Sequence, residues 1–206
     1  MSKTIEDKKM PVADDDLEYV KACRRGETEA FSVLVGRHSK KMLNIAYRML
    51  GDYDDACDVT QEAFLAAFRA IGKFKEASRF STWLCRIVIN YTKNRLKQRQ
   101  SLSRHEGASL DEEAEGQGDC AACLAAADGG HPGDLLERRE LEAQVQKCIG
   151  ALVEDYREVL VMRDIQGFSY EEIQDVLRIP DGTVKSRLSR ARLAMKDCLK
   201  KIMGDL

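Results

Sequence analysis

Near the C-terminal end, Thr183-Val184-Lys185-Ser186-Arg187-Leu188-Ser189-Arg190-Ala191-Arg192 interleaves basic and hydroxyl side chains with apolar ones. At about 100° per residue, Val184, Leu188, Ala191 and Met195 share one helical face and must be core. Lys185, Ser186, Ser189, Arg190 and Arg192 lie on the other faces, with Arg187 at the flank. Ammonium, guanidinium and hydroxyl groups on an exposed helix face can reach base edges and phosphates. A solvated face of any helical bundle would carry the same charges, so the flanking sequence decides. Ser169-Tyr170-Glu171-Glu172 is a capping-box pattern, and Ile173, Val176 and Leu177 follow at helical spacing. Ile179-Pro180-Asp181-Gly182 breaks the chain, and Thr183 is placed to cap the next helix. Helix, short turn and basic second helix form a helix-turn-helix, a reader of duplex DNA.

Two further clusters lie in the first half. Asp58, Glu62, Leu65 and Arg69 fall at i, i+4, i+7 and i+11, with Gln61 beside them. Carboxylates around a leucine can accept from arginines of a partner helix, although spacing alone favours an ordinary solvated face with one exposed leucine. The second cluster joins Lys73 and Phe74 to Phe80 and Trp83, with Lys75 and Arg79 between them. It continues along a helix through Arg86, Asn90, Lys93, Asn94 and Lys97. Aromatic rings beside basic and amide groups suit stacking on unpaired bases. Taken singly, those rings are more often the core of a small domain.

Catalysis finds no support. His38, His105 and His131 have no consistent Cys, Ser or carboxylate neighbourhood, and no metal-protease or nucleotide-loop motif occurs. The seven cysteines, scattered mostly through helix-like segments, suit separate reduced thiols better than a disulfide framework. Cys120 and Cys123 are spaced for metal, but four-ligand zinc would need a second pair. Neither bound metal nor cofactor is expected. The N-terminus has no signal-peptide pattern and no apolar run approaches the roughly 20 residues of a membrane span, so the expectation is a cytoplasmic protein without membrane insertion.

These groups must be held by helices. Only three prolines, 33% charged residues and no sustained period-two alternation point to an all-α chain. Residues 1–13 read as a loose tail, 14–100 as an N-terminal helical domain, and 101–134 as a flexible acidic linker rich in Gly, Ala and Ser. Residues 135–206 read as a C-terminal domain holding the helix-turn-helix. In the first domain, Asp14–Asp16 and Thr28 are expected to cap helices one and two, and Gly51 to end the second. The third helix is expected from near Asp54 to Ile71. The fourth is expected to start at Ser81 or Thr82 and run to about Gln98.

Asp55-Ala56-Cys57-Asp58-Val59-Thr60-Gln61-Glu62-Ala63-Phe64 resembles the polymerase-binding helix of bacterial sigma factors. Phe80-Ser81-Thr82-Trp83-Leu84-Cys85-Arg86-Ile87 through Asn90 resembles their promoter-melting segment, and Gly167–Ile173 with Gly182–Arg192 their region-four helix-turn-helix. Two domains and a short linker match the extracytoplasmic-function group. That resemblance implies that Asp58, Gln61, Glu62 and Leu65 dock on core RNA polymerase, at the clamp of β′. It implies that Lys73, Phe74, Phe80, Trp83, Arg86, Asn90, Lys93 and Lys97 capture the melted −10 strand. Thr183, Lys185, Ser186, Arg187, Ser189 and Arg190 would read −35 duplex. The implied partners are the β and β′ subunits, promoter DNA and an anti-sigma factor. Cys85 replaces a common aromatic, Val153 a common proline, and Gln174 a small alanine between the motif's helices. The competing reading is a helix-turn-helix regulator that binds duplex without polymerase, but the first half lacks a receiver or effector pattern.

The formal net charge of −2 conceals segregation. From Lys73 to Arg104, nine basic residues face Glu76 alone, a net +8. From Glu106 to Glu142, eleven acids face two arginines, a net −9. A near-neutral average therefore excludes nothing about DNA; it implies weak binding by the free protein.

Overall fold

The computed structural model describes residues 15–105 and 132–203. The proposed tail, Cys120, Cys123 and His131 lie outside the described residues. Among the described residues every regular element is helical: α1 (Leu17–Arg24), α2 (Glu29–Leu50), α3 (Tyr53–Ala70), α4 (Phe80–His105), α5 (Pro132–Ala151), α6 (Glu154–Leu160), α7 (Tyr170–Leu177) and α8 (Asp181–Met203). A 3₁₀ turn at Ile71–Lys73 follows α3, and a π turn at Val161–Ile165 follows α6.

Helix ends follow local chemistry, with instructive departures. Gly51 closes α2 at φ 74°, where a side chain would be strained. Asp52 caps α3 by accepting from the Asp55 amide at 2.8 Å. Neither Asp16 nor Thr28 caps with its side chain. The Asp16 carboxylate instead holds Arg37 at 3.0 Å and His38 at 2.6 Å, tying the start of α1 to α2. The fourth helix starts at Phe80, so Ser81 and Thr82 lie inside its first turn rather than capping it, and it continues past Gln98 to His105. The capping box forms as expected, with Glu172 N donating to Ser169 Oγ at 3.2 Å and Ser169 N to Glu172 Oε2 at 2.8 Å. The last helix begins at Asp181, directly after Pro180, so Thr183 is a first-turn residue and not the cap. The left-handed residue of the motif's turn is Arg178, at φ 56°, rather than Gly182.

Packing organises α1–α4 around Leu34, Met42, Ile45, Met49, Leu84 and Val88, all fully buried. The second half packs Val159, Val161, Met162, Ile173, Val184 and Leu188 at equal depth. Buried contacts run continuously from one set to the other. The Lys41 ammonium sits 4.0 Å from the ring centroid of buried Phe168 across that boundary.

Cysteine chemistry departs from the expectation of separate thiols at one pair. Cys148 of α5 and Cys198 of α8 are bridged across 50 residues, with Cα atoms 5.8 Å apart. Loop-closure entropy for such a span is worth about 4 kcal/mol. Cys198→Ser is therefore expected to lower the melting temperature, and dithiothreitol to lower that of the wild type but not of the variant. Calorimetry checks both; a wild type indifferent to reductant would contradict the bridge. Cys85 is wholly buried, and burial pushes its thiol up to about 12. Iodoacetamide near pH 8 is expected to label partly exposed Cys57 in the native protein and to reach Cys85 only in denaturant, as read by peptide mass mapping.

Candidate polymerase and nucleic-acid interface

The acidic stripe is a surface. On α3, Val59, Ala63, Phe64 and Ala67 turn into the core, leaving Asp58, Gln61, Glu62 and Leu65 exposed. Leu65 is 56% exposed and Phe68, one turn on, 39%. An apolar patch rimmed by carboxylates is the layout of a protein-binding face. Ion pairs fix the inner edge of this helix against α4. Arg95 reaches Asp55 at 2.6 Å and Glu62 at 3.7 Å, and Arg99 pairs with Asp55 and, at 3.5 Å, with Asp52. Two of the nine basic residues in the positive segment are thus committed to α3.

The aromatic cluster requires a correction. Phe80 is 0% exposed and Phe74 3%, so neither ring faces solvent as a stacking platform. They pack with Trp83: centroids lie 6.0 Å apart for Phe74–Phe80, 5.2 Å for Phe74–Trp83 and 5.7 Å for Phe80–Trp83. A domain this small needs its largest apolar side chains inside. Trp83 alone of the three stays partly exposed. The loop leading to it is pinned by Arg24, which donates to the Phe74 carbonyl and pairs with Glu76 at 2.7 Å. Glu76, the one acid of the positive segment, is thereby consumed inside the first half.

Along α4, Asn90 and Lys97 are exposed, as is Lys73 before the helix. Arg86 and Lys93 face the second half. Arg86 donates to the backbone carbonyl of Asp175, and Lys93 Nζ lies 2.7 Å from Glu158 Oε1. The carboxylate of Glu158 is 1% exposed, and burial pushes its pKa above the ordinary value, outweighing Lys93 in the opposite direction.

On α8, Val184, Leu188 and Ala191 are buried as the helical wheel requires. Lys185, Ser186, Ser189 and Arg190 are exposed, and Thr183 and Arg187 partly so. Arg187 is held by Asp155 at 2.6 Å and Lys185 by Asp181 at 2.6 Å. Arg190 donates to the Tyr156 hydroxyl at 3.4 Å. These donors are pre-positioned on one accessible face of a helix whose other face is core. Gln174 is accommodated beside the turn, its amide donating to Asp181 at 3.5 Å, and Val153 starts α6 with its side chain in solvent.

Sequence reasoning missed Glu158 and Asp175, and read Glu172 only as a helix cap and not as a partner of α4. Their partners lie tens of residues away on α4, and no local pattern marks those contacts.

An acidic, leucine-bearing helix face and a basic helix-turn-helix on one all-helical chain define a DNA-binding protein with a second, protein-docking surface. The sequence matches Sigma-70 region 2 over residues 34–102 and Sigma-70 region 4 over residues 142–195. It is 37% identical to the RNA polymerase sigma-H factor of Pseudomonas aeruginosa, over 95% of this chain and 100% of that one. It is 36% identical to the ECF RNA polymerase sigma factor SigW of Bacillus subtilis, over 88% and 95%. The chain belongs to the ECF RNA polymerase sigma factors. Its fold matches RpoE of Bartonella quintana, solved with the anti-sigma factor NepR, at a TM-score of 0.64 and 22% identity over 82% of this chain and 96% of that one. It also matches CnrH, solved with the cytosolic domain of CnrY, at 0.62 and 26% over 91% and 99%.

Glu158 gives a pH prediction. Because its folded pKa is raised, the folded state holds the proton more tightly than the unfolded chain, and this group's contribution falls as pH rises above about 4.5. Glu158→Gln is therefore expected to gain on the wild type in melting temperature between pH 4.5 and 7.5. Parallel melts across that range check it; a gap that narrows with pH would contradict the assignment.

Proposed function

We propose that the chain acts as the promoter-specificity subunit of RNA polymerase, in the cytoplasm where that enzyme works, and catalyses nothing itself. Asp58, Gln61, Glu62 and Leu65 dock on the core enzyme, with carboxylates accepting from arginines and Leu65 filling an apolar site. Lys185, Ser186, Arg190 and the flanking Thr183, Arg187 and Ser189 read the −35 element in the major groove and fix its phosphates. Lys73, Trp83, Arg86, Asn90, Lys93 and Lys97 hold the melted −10 strand. Phe74 and Phe80 support this from below, by setting the position of Trp83. Unstacking bases costs a few kcal/mol, offset by stacking and backbone contacts. An N-terminal domain at residues 14–100 and a C-terminal domain at 135–206 are the working units, joined by the acidic segment. A protein inhibitor of the anti-sigma kind belongs to this reading, since both structural relatives above were solved with a bound partner.

The observation that carries the proposal is the coexistence of two exposed faces of opposite character: acid and leucine on α3, base and hydroxyl on α8. Run-off transcription with core polymerase on a randomised promoter library is expected to enrich two spaced elements. Enrichment of none would sink the proposal, and tight duplex binding without polymerase would favour a stand-alone regulator. In the same assay Glu62→Lys is expected to reduce core affinity, and Lys185→Ala or Arg190→Ala to cut promoter use roughly tenfold each, with melting temperatures unchanged.

A further inference from the structure

The far end of α8 is held differently from its reading end. Val184, Leu188 and Ala191 seat the first part of the helix, but from Arg192 to Ile202 no side chain is buried. Leu193 is 60% exposed and Ile202 36%. About three turns of helix without a buried anchor are marginal in water. Two ties hold them: the exposed Arg192–Asp164 pair at 2.6 Å and the bond from Cys198 to Cys148 of α5. The same bond joins the walls of an open hollow of about 620 Å³, with Val145 and Ile149 on the α5 side and Met195 and Leu199 on the α8 side. Each cysteine lies within one turn of the lining residues of its own helix, so the bridge sets how far apart these walls stand.

The two sulfurs are unequal. Cys148 is 1% exposed, whereas Cys198 is partly exposed. A soluble reagent therefore attacks at Cys198 Sγ. That atom is remote from the duplex-reading side chains, since Arg190 precedes it by more than two turns, about 12 Å along the helix. In a cytoplasm that keeps thiols reduced, a disulfide that forms is characteristically transient and redox-sensing.

We propose that Cys148 and Cys198 are a reversible thiol–disulfide modification site whose state locks or frees the end of α8, and with it sets the activity of the chain. This rests on the reading of the chain as a cytoplasmic promoter-specificity subunit. Closing takes a peroxide. The Cys198 thiolate attacks one oxygen of hydrogen peroxide and breaks the O–O bond. Sulfenic acid forms, and the other oxygen leaves as water with the thiol's proton. Cys148 Sγ then displaces the hydroxyl, which leaves as a second water with the Cys148 proton, and the S–S bond forms. Opening takes a dithiol. One of its thiolates attacks Cys198 Sγ and expels the Cys148 thiolate, which takes up a proton. Its second thiol resolves the mixed disulfide, releasing Cys198 and leaving the reagent oxidised. The closed form is the more active, because the end of α8 is ordered against α5 before polymerase is met.

The test uses the full chain, closed by stoichiometric hydrogen peroxide or opened by dithiothreitol, and then freed of either reagent. Peptide mass mapping after iodoacetamide in denaturant is expected to recover Cys148 joined to Cys198 in the first sample and both alkylated in the second, over repeated cycles. A bridge that survives dithiothreitol in native buffer, or Cys198 joined instead to Cys120 or Cys123, overturns the site. Hydrogen exchange of residues 192–203 is expected to rise roughly tenfold on opening, with 184–191 unchanged; equal exchange overturns the lock. Run-off transcription with core polymerase is expected to fall roughly fivefold on opening. Cys198→Ser is expected to stay at the opened level after either treatment while binding −35 duplex normally, which a misfolded second half would not do. Equal transcription by the closed and opened chains overturns the switch alone. Transcription by neither overturns the promoter-specificity reading and the switch together.

Discussion

The positive charge of α4 has to be answered wherever the helix is partly buried, and the whole arrangement follows from how it is answered. Arg95 and Arg99 are neutralised by α3, which fixes the acidic helix at a set angle to the core and leaves Asp58, Gln61, Glu62 and Leu65 outside. Arg86 and Lys93, on another side of the helix, are answered by α6 and α7. One helix thus organises the polymerase-facing surface on one flank and the contact between the halves on the other. Removing either set of acceptors would leave partly buried cations short of partners, a larger cost than losing a fully exposed pair.

The C-terminal motif is built on a different principle. Its reading face is free because its apolar face is fully used: Val184, Leu188 and Ala191 seat α8, and the Cys148–Cys198 bridge ties its far end to α5. Asp155 pairs with partly exposed Arg187, and Asp181 with exposed Lys185. Such exposed pairs are weak and can be exchanged for phosphate contacts at little cost. The Glu158–Lys93 pair differs, because its carboxylate is only 1% exposed.

The parts readable from sequence were those written in local patterns. Helical periodicity located the core face of α8, the capping box marked α7, and the spacing of Asp58, Glu62 and Leu65 predicted a shared face that is indeed exposed. Composition could not decide the aromatics. Phe74, Phe80 and Trp83 sit among basic residues in the chain, yet Phe74 and Phe80 are buried, Phe80 with its ring 5.5 Å from that of His38 on α2. Capping failed as a guide where tertiary demand won: Asp16 serves Arg37 and His38 instead of its own helix.

The sequence by itself determined an all-helical chain, its polar and apolar faces, and the two surfaces that place it among sigma factors, since these depend on residues within a few turns of one another. Tertiary structure alone decided which cations are exposed and which are answered internally. It also decided that Cys148 and Cys198 meet and that Glu158 lies buried against Lys93. Those outcomes turn on pairs tens of residues apart, where proximity comes from packing of the whole chain and leaves no periodicity to read.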